Sequence, residues 1–124
     1  MEQKFFICQT CGNVIAMVVD SGIPVECCGE PMQELIPKTA DASHEKHVPV
    51  CEVKDGMVCV QVGETEHPMS EAHYIEWISI HTNKGNQRKL LSPGDKPCAV
   101  FCICEGEQVE AVYAYCNIHG LWKK

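Results

Sequence analysis

The chain has 124 residues, ten of them cysteine, with 17 acidic against 10 basic side chains and a formal net charge of -7. That balance excludes a phosphate-backbone binder, which takes clustered lysine and arginine, so no nucleic-acid partner is expected. The longest aliphatic runs, 14–19 and 99–103, fall far short of the roughly 20 apolar residues of a membrane span, so no membrane partner is expected either.

Cysteine makes up about 8% of the chain, near the level of disulfide-stapled secreted domains. Residues 1–10 (MEQKFFICQT) have no basic flank, apolar stretch and small-residue cleavage site in the order of an export signal. A cytoplasmic, reducing location is therefore expected, with the cysteines as metal ligands or free thiols.

In chain order, the first feature is Cys8-Gln9-Thr10-Cys11-Gly12, two thiols on one tight loop. Cys27 and Cys28 supply a second, adjacent pair. Four thiolates in a tetrahedron suit zinc or a single iron, and both stay open on spacing alone. Two disulfides are the competing reading, but adjacent cysteines rarely both bridge without strain. The unit over residues 1–36 is too small to bury a sufficient core, and a four-thiolate metal would staple it. A polar connector follows from Pro37 to Ser43.

From Val48 onward the pattern is β. Strands are expected over 48–53 and 57–62 around Asp55-Gly56, a strong two-residue hairpin signal. Further strands are expected over 74–81, 88–91, 99–104 and 109–115, with residues 105–108 as a second hairpin loop. No stretch of ten or more residues carries a helical period. The fold class is mostly β: a small metal-stapled unit, then a β-sandwich over residues 37–124.

If Asp55-Gly56 closes the hairpin, Glu52 faces Cys59 and Cys51 faces Val60. Cys51 then shares the core-directed face with Val58, Val60 and Val62, and Cys59 looks toward solvent. The surplus thiols of Cys51, Cys59, Cys98, Cys102 and Cys104 are otherwise read as small apolar side chains packed in or near the sheets.

Six histidines remain. His47, His67, His73 and His119, with Cys116, would make one ligand more than a structural zinc takes, and five ligands suit a redox-active iron with a place for a small molecule. His44 and His81 are read as bystanders, His81 as an exposed side chain past a strand end.

Here the residues resemble a family. Residues 45–50 (EKHVPV), 67–69 (HPM), 73–78 (HYIEWI) and 116–122 (CNIHGLW), in this order, are similar to desulfoferrodoxin, a superoxide reductase. The Cys8, Cys11, Cys27, Cys28 block resembles that family's desulforedoxin-like domain. The resemblance implies two irons per chain, one in four cysteines and one in His47, His67, His73, His119 and axial Cys116. It implies an immunoglobulin-like sandwich, one-electron reduction of superoxide to hydrogen peroxide, a rubredoxin-like electron donor and a homodimer. It gives Lys46 the guidance of superoxide and protons, and Glu45 the place of a residue that approaches the oxidised iron.

Overall fold

The computed structural model describes residues 2–40 and 46–124. The chain divides into two compact units, Met1–Ile36 and Pro37–Lys124. No helix occurs among the described residues, and none is long and apolar enough to cross a membrane.

The first unit is a three-stranded antiparallel sheet of β1 (Lys4–Ile7), β2 (Val14–Met17) and β5 (Gln33–Glu34), in the order β2-β1-β5. A ribbon of β3 (Glu26–Cys27) and β4 (Glu30–Pro31) stands beside it in sequence. Its turn is Cys28-Gly29, with φ of 55° and 77°. Two successive left-handed residues make the tight turn that matches strand twist, and glycine takes the second at no steric cost. Cys28 takes the first at a cost of about 1 kcal/mol. That conformation is how two adjacent cysteines reach one point.

The second unit is a seven-stranded sandwich. One sheet, in the order β10-β7-β6, holds β6 (Pro49–Lys54), β7 (Met57–Val62) and β10 (Cys98–Cys102). The other, β12-β11-β8-β9, holds β8 (Ile75–Thr82), β9 (Gly85–Leu90), β11 (Val109–Cys116) and β12 (Gly120–Lys123). The β7 strand alternates strictly, burying Val58, Val60 and Val62. These meet Phe101 and Ala99 of β10 and, from the facing sheet, Ile75, Ile78, Ile80, Val112 and Ala114. Burying each large aliphatic side chain contributes roughly 1.5–3 kcal/mol.

The β6–β7 hairpin has the expected register, with Glu52 opposite Cys59 and Cys51 opposite Val60. Asp55 and Gly56 both take positive φ. Cys51 packs partly buried against the core and Cys59 is exposed. In the native protein Cys59 is expected to react with a thiol label at least tenfold faster than Cys51; peptide mapping that finds Cys51 labelled first contradicts this.

Three expectations change. Residues 105–108 do not close a hairpin: β10 pairs with β7 and β11 with β8, so this turn carries the chain from one sheet to the other. The surplus thiols Cys98, Cys102 and Cys104 are not packed inside but exposed, as Cys59 is. Each of the three on strands occupies an outward position of the alternation. His81 is half-buried rather than exposed, with Nδ1 at 2.5 Å from Asn86 and Nε2 at 3.5 Å from Glu110.

Candidate metal centres

In the first unit the Sγ atoms of Cys8, Cys11, Cys27 and Cys28 lie within 4.8 Å of one another. Cys11 and Cys27 are 3.7 Å apart. Sulfurs about 2.3 Å from a tetrahedral metal lie about 3.8 Å from each other, so the donors match the ion. The Cys8 loop turns back so that the Cys11 amide donates to Cys8 Sγ at 3.5 Å, and Asn13 Nδ2 donates to Cys27 Sγ at 3.7 Å. The Cys11 amide holds the Cys8 thiol down at about 6. Hydrogen bonding to Cys11 and Cys8 pushes Cys28 up to about 12, and Cys27 shifts the same way. Four crowded thiols cannot all ionise unaided; a cation among them removes that conflict.

In the sandwich the strand ends gather the second donor set. His47 precedes β6, His67 follows β7, His73 precedes β8, and Cys116 and His119 flank the β11–β12 turn. Antiparallel pairing brings all these ends to one end of the sandwich. Gly63 N–H donates to Val48 C=O at 3.2 Å, tying the His47 segment to the end of β7. Asn117 is a second tie: Oδ1 accepts from Tyr74 N–H at 2.9 Å and Nδ2 donates to Ala72 C=O at 3.0 Å. It fixes the His73 segment to the loop that carries Cys116 and His119. The sequence reading passed over Asn117, although it stands inside the motif.

The four imidazoles form a closed ring. Neighbouring centroids are 4.8 Å (His47–His67), 4.7 Å (His67–His73), 5.0 Å (His73–His119) and 4.8 Å (His119–His47), with planes at 70° to 81°. The diagonal His47–His73 is 6.3 Å. The four rings therefore enclose one small space. Cys116 Sγ lies within 4.8 Å of donor atoms of His47, His67 and His73, and 3.8 Å from His119 Nδ1. The donor atoms of His47, His67, His73 and Cys116 form one close group that does not include His119, which adjoins it through His47 and Cys116. His47 Nε2 and His119 Nδ1 are 3.0 Å apart, the spacing of two nitrogens about 2.1 Å from one metal at a right angle.

Two buried nitrogens test the fit. His67 Nε2 and His73 Nε2 have no hydrogen-bond partner. An unpaired buried polar atom costs about 1–3 kcal/mol, and a metal would satisfy both. His67 Nδ1 lies 2.7 Å from the Pro68 carbonyl, so it carries the proton and leaves Nε2 its lone pair. Burial lowers the His67 pKa to about 4, and burial with the neighbouring His119, His47 and Lys46 lowers that of His73. Both rings are neutral near pH 7, as ligands must be. Trp122 stacks on His47 at 4.5 Å and 17°.

A pH dependence follows for the metal-free protein. His67 takes its proton near 6.5 when unfolded and only near 4 when folded. The unfolded state therefore binds more protons between those values. Stability is expected to be full above pH 6.5 and to fall as pH drops toward 4. Urea midpoints across this range check it, and His67→Asn is expected to flatten the slope.

The Desulfoferrodoxin family model matches residues 39–124. A desulfoferrodoxin homologue of Archaeoglobus fulgidus is 47% identical over 120 residues, covering 97% of this chain and 94% of the relative. The chain belongs to the desulfoferrodoxin family. The desulfoferrodoxin of Nitratidesulfovibrio vulgaris is 42% identical over 122 residues, covering 98% of this chain and 95% of its own. The superoxide reductase of Pyrococcus horikoshii is 36% identical over 104 residues, 69% of this chain and 90% of that one. The solved superoxide reductase of Treponema pallidum has a TM-score of 0.86 at 35% identity, covering 99% of this chain and 98% of that one. Desulfoferrodoxins hold two iron centres, and this chain presents two donor sets. Lys46 stands near enough to bear on His73. Glu45 and His44 lie outside the described residues.

Proposed function

We infer that this chain is a superoxide reductase, converting superoxide to hydrogen peroxide without evolving dioxygen. One observation carries the reading: a ring of four imidazoles with one buried thiol beside it. Iron bound there supplies the one-electron chemistry. His47, His67, His73, His119 and Cys116 are the residues that would hold it, and the Cys116 thiolate would lend it electron density. A small anion would bind on the face away from Cys116.

Lys46 gives that face a positive charge on a chain of net charge -7. A local cation gathers an anion despite the global balance. Glu45, next in sequence, is the side chain we assign to the oxidised state. Residues 1–36 form the four-cysteine iron unit and 37–124 the catalytic unit. A rubredoxin-like protein supplies electrons, and the chain acts as a homodimer. Ten free thiols suit a cytoplasmic location.

Anaerobic pulse radiolysis of the reduced protein tests the reaction. Superoxide is expected to disappear with peroxide formed and no dioxygen evolved; dioxygen in equal yield indicates dismutation and overturns the reading. In the same apparatus Lys46→Ala is expected to slow the second-order step roughly tenfold at low salt and to flatten its salt dependence. An unchanged rate removes Lys46 from the guiding role.

A further inference from the structure

Lys38 was not among the candidate residues, yet it is tied to the second centre by four contacts. Its N–H donates to Leu121 C=O at 2.9 Å, and its C=O accepts from Lys123 N–H at 2.8 Å. These make a short parallel bridge with Trp122 on β12. The side chain then reaches the ligand loop: Nζ donates to His119 C=O at 3.0 Å and lies 5.2 Å from the centre of the Trp122 ring. Trp122 is the residue stacked on His47, and His47 and His119 are neighbours in the ring of four imidazoles. One ammonium therefore contacts the supports of two neighbouring ligands.

Among the described residues no carboxylate forms an ion pair with that ammonium. The ion pairs among the described residues are Lys4–Asp20 and His81–Glu110, and neither involves Lys38. A carbonyl and an aromatic face attract a cation through a dipole and a quadrupole and leave its net charge intact. Lys38 is also exposed, so its field reaches the approaching solute. A residue recruited only to brace the loop would do as well with a neutral donor; a lysine adds a charge beside the ligand loop.

We propose that Lys38 is a second cationic guide for the anionic substrate, acting with Lys46 and holding the His119 loop and Trp122 in place. The assignment rests on the superoxide reductase reading. Its field falls off over a screening length of about 10 Å at 0.1 M salt. Charges at a rim change association rates and salt dependence more than bond-making steps.

The test compares Lys38→Met, close in shape and neutral, with Lys38→Arg in the iron-loaded protein. Lys38→Met is expected to lower the low-salt rate with superoxide roughly two- to fivefold, with the difference gone near 1 M salt, where screening reaches about 3 Å. Binding of azide to the oxidised protein, which involves no turnover, is expected to weaken by a similar factor and with the same salt dependence. Lys38→Arg is expected to restore both, and Lys38→Met with Lys46→Ala to lose the product of the two single effects. Unchanged salt slopes for rate and azide binding overturn the proposal. So does an equal loss at all salt concentrations with a lowered melting temperature, which marks a purely structural lysine. If the unsubstituted protein consumes no superoxide, the reductase reading fails instead, and the azide comparison still decides whether Lys38 contributes its charge.

Discussion

Replacing Cys116 by serine is expected to abolish superoxide reduction while leaving the first centre's absorption unchanged. Cys116 is fully buried at the end of β11 and is the single sulfur of its donor set. Its Sγ accepts the His119 N–H at 3.4 Å, so the turn is already arranged around a large, soft acceptor. A serine oxygen is smaller and hard, and its hydroxyl stays protonated where the thiol ionises. The thiolate charge is lost with the sulfur. Partners one shell further out typically cost 10–100-fold when removed, so a direct donor is expected to cost at least about a hundredfold. Rate by pulse radiolysis, absorption of the oxidised protein and iron per chain measure the three consequences together. Activity within tenfold of the parent, with the oxidised-site band retained, rules out Cys116 as a donor to the iron.

The second large effect is expected in the first unit. Cys8→Ser removes one of four thiolates and, with it, most of what orders residues 1–36. The buried apolar side chains of this unit are few: Phe5, Cys8 and Met32. A core of that size cannot offset the ordering of its backbone, about 1–2 kcal/mol per residue. A four-thiolate metal site contributes on the order of 10 kcal/mol and makes the difference between folded and unfolded. The variant is expected to hold one iron per chain instead of two and to exchange the amides of β1 and β2 freely. The sandwich has its own core and a ligand set that shares no residue with the first, so peroxide formation is expected to persist. Hydrogen exchange and iron analysis check both halves. Loss of both irons together would falsify the independence of the two sites.

The sequence determined what depends on near neighbours. Asp55-Gly56 has one low-energy use, and with the period of two it set the β6–β7 register and the opposite exposures of Cys51 and Cys59. Cys8-x-x-Cys11 announced a thiolate site because two sulfurs on one tight loop are already close. The residue types offered the second donor set only as a candidate, and the family resemblance assigned it. His47, His67, His73 and His119 lie on separate segments, and no local rule brings them together.

Tertiary structure decided the rest, because it turns on which strands pair. A turn at residues 105–108 around Gly106 shows that the chain reverses but not which sheet receives it, and β11 pairs with β8 instead of β10. Strand β12 is four residues long and exists through its ladder to β11 and the bridge to Lys38. The same pairing seats Trp122 against His47 and Lys38 against His119. It sets Cys98 and Cys102 outward, because β10 joins β7 in the register that turns Ala99 and Phe101 into the core. Contacts between residues tens of positions apart carry no local signature, and the ring of four imidazoles is built from them.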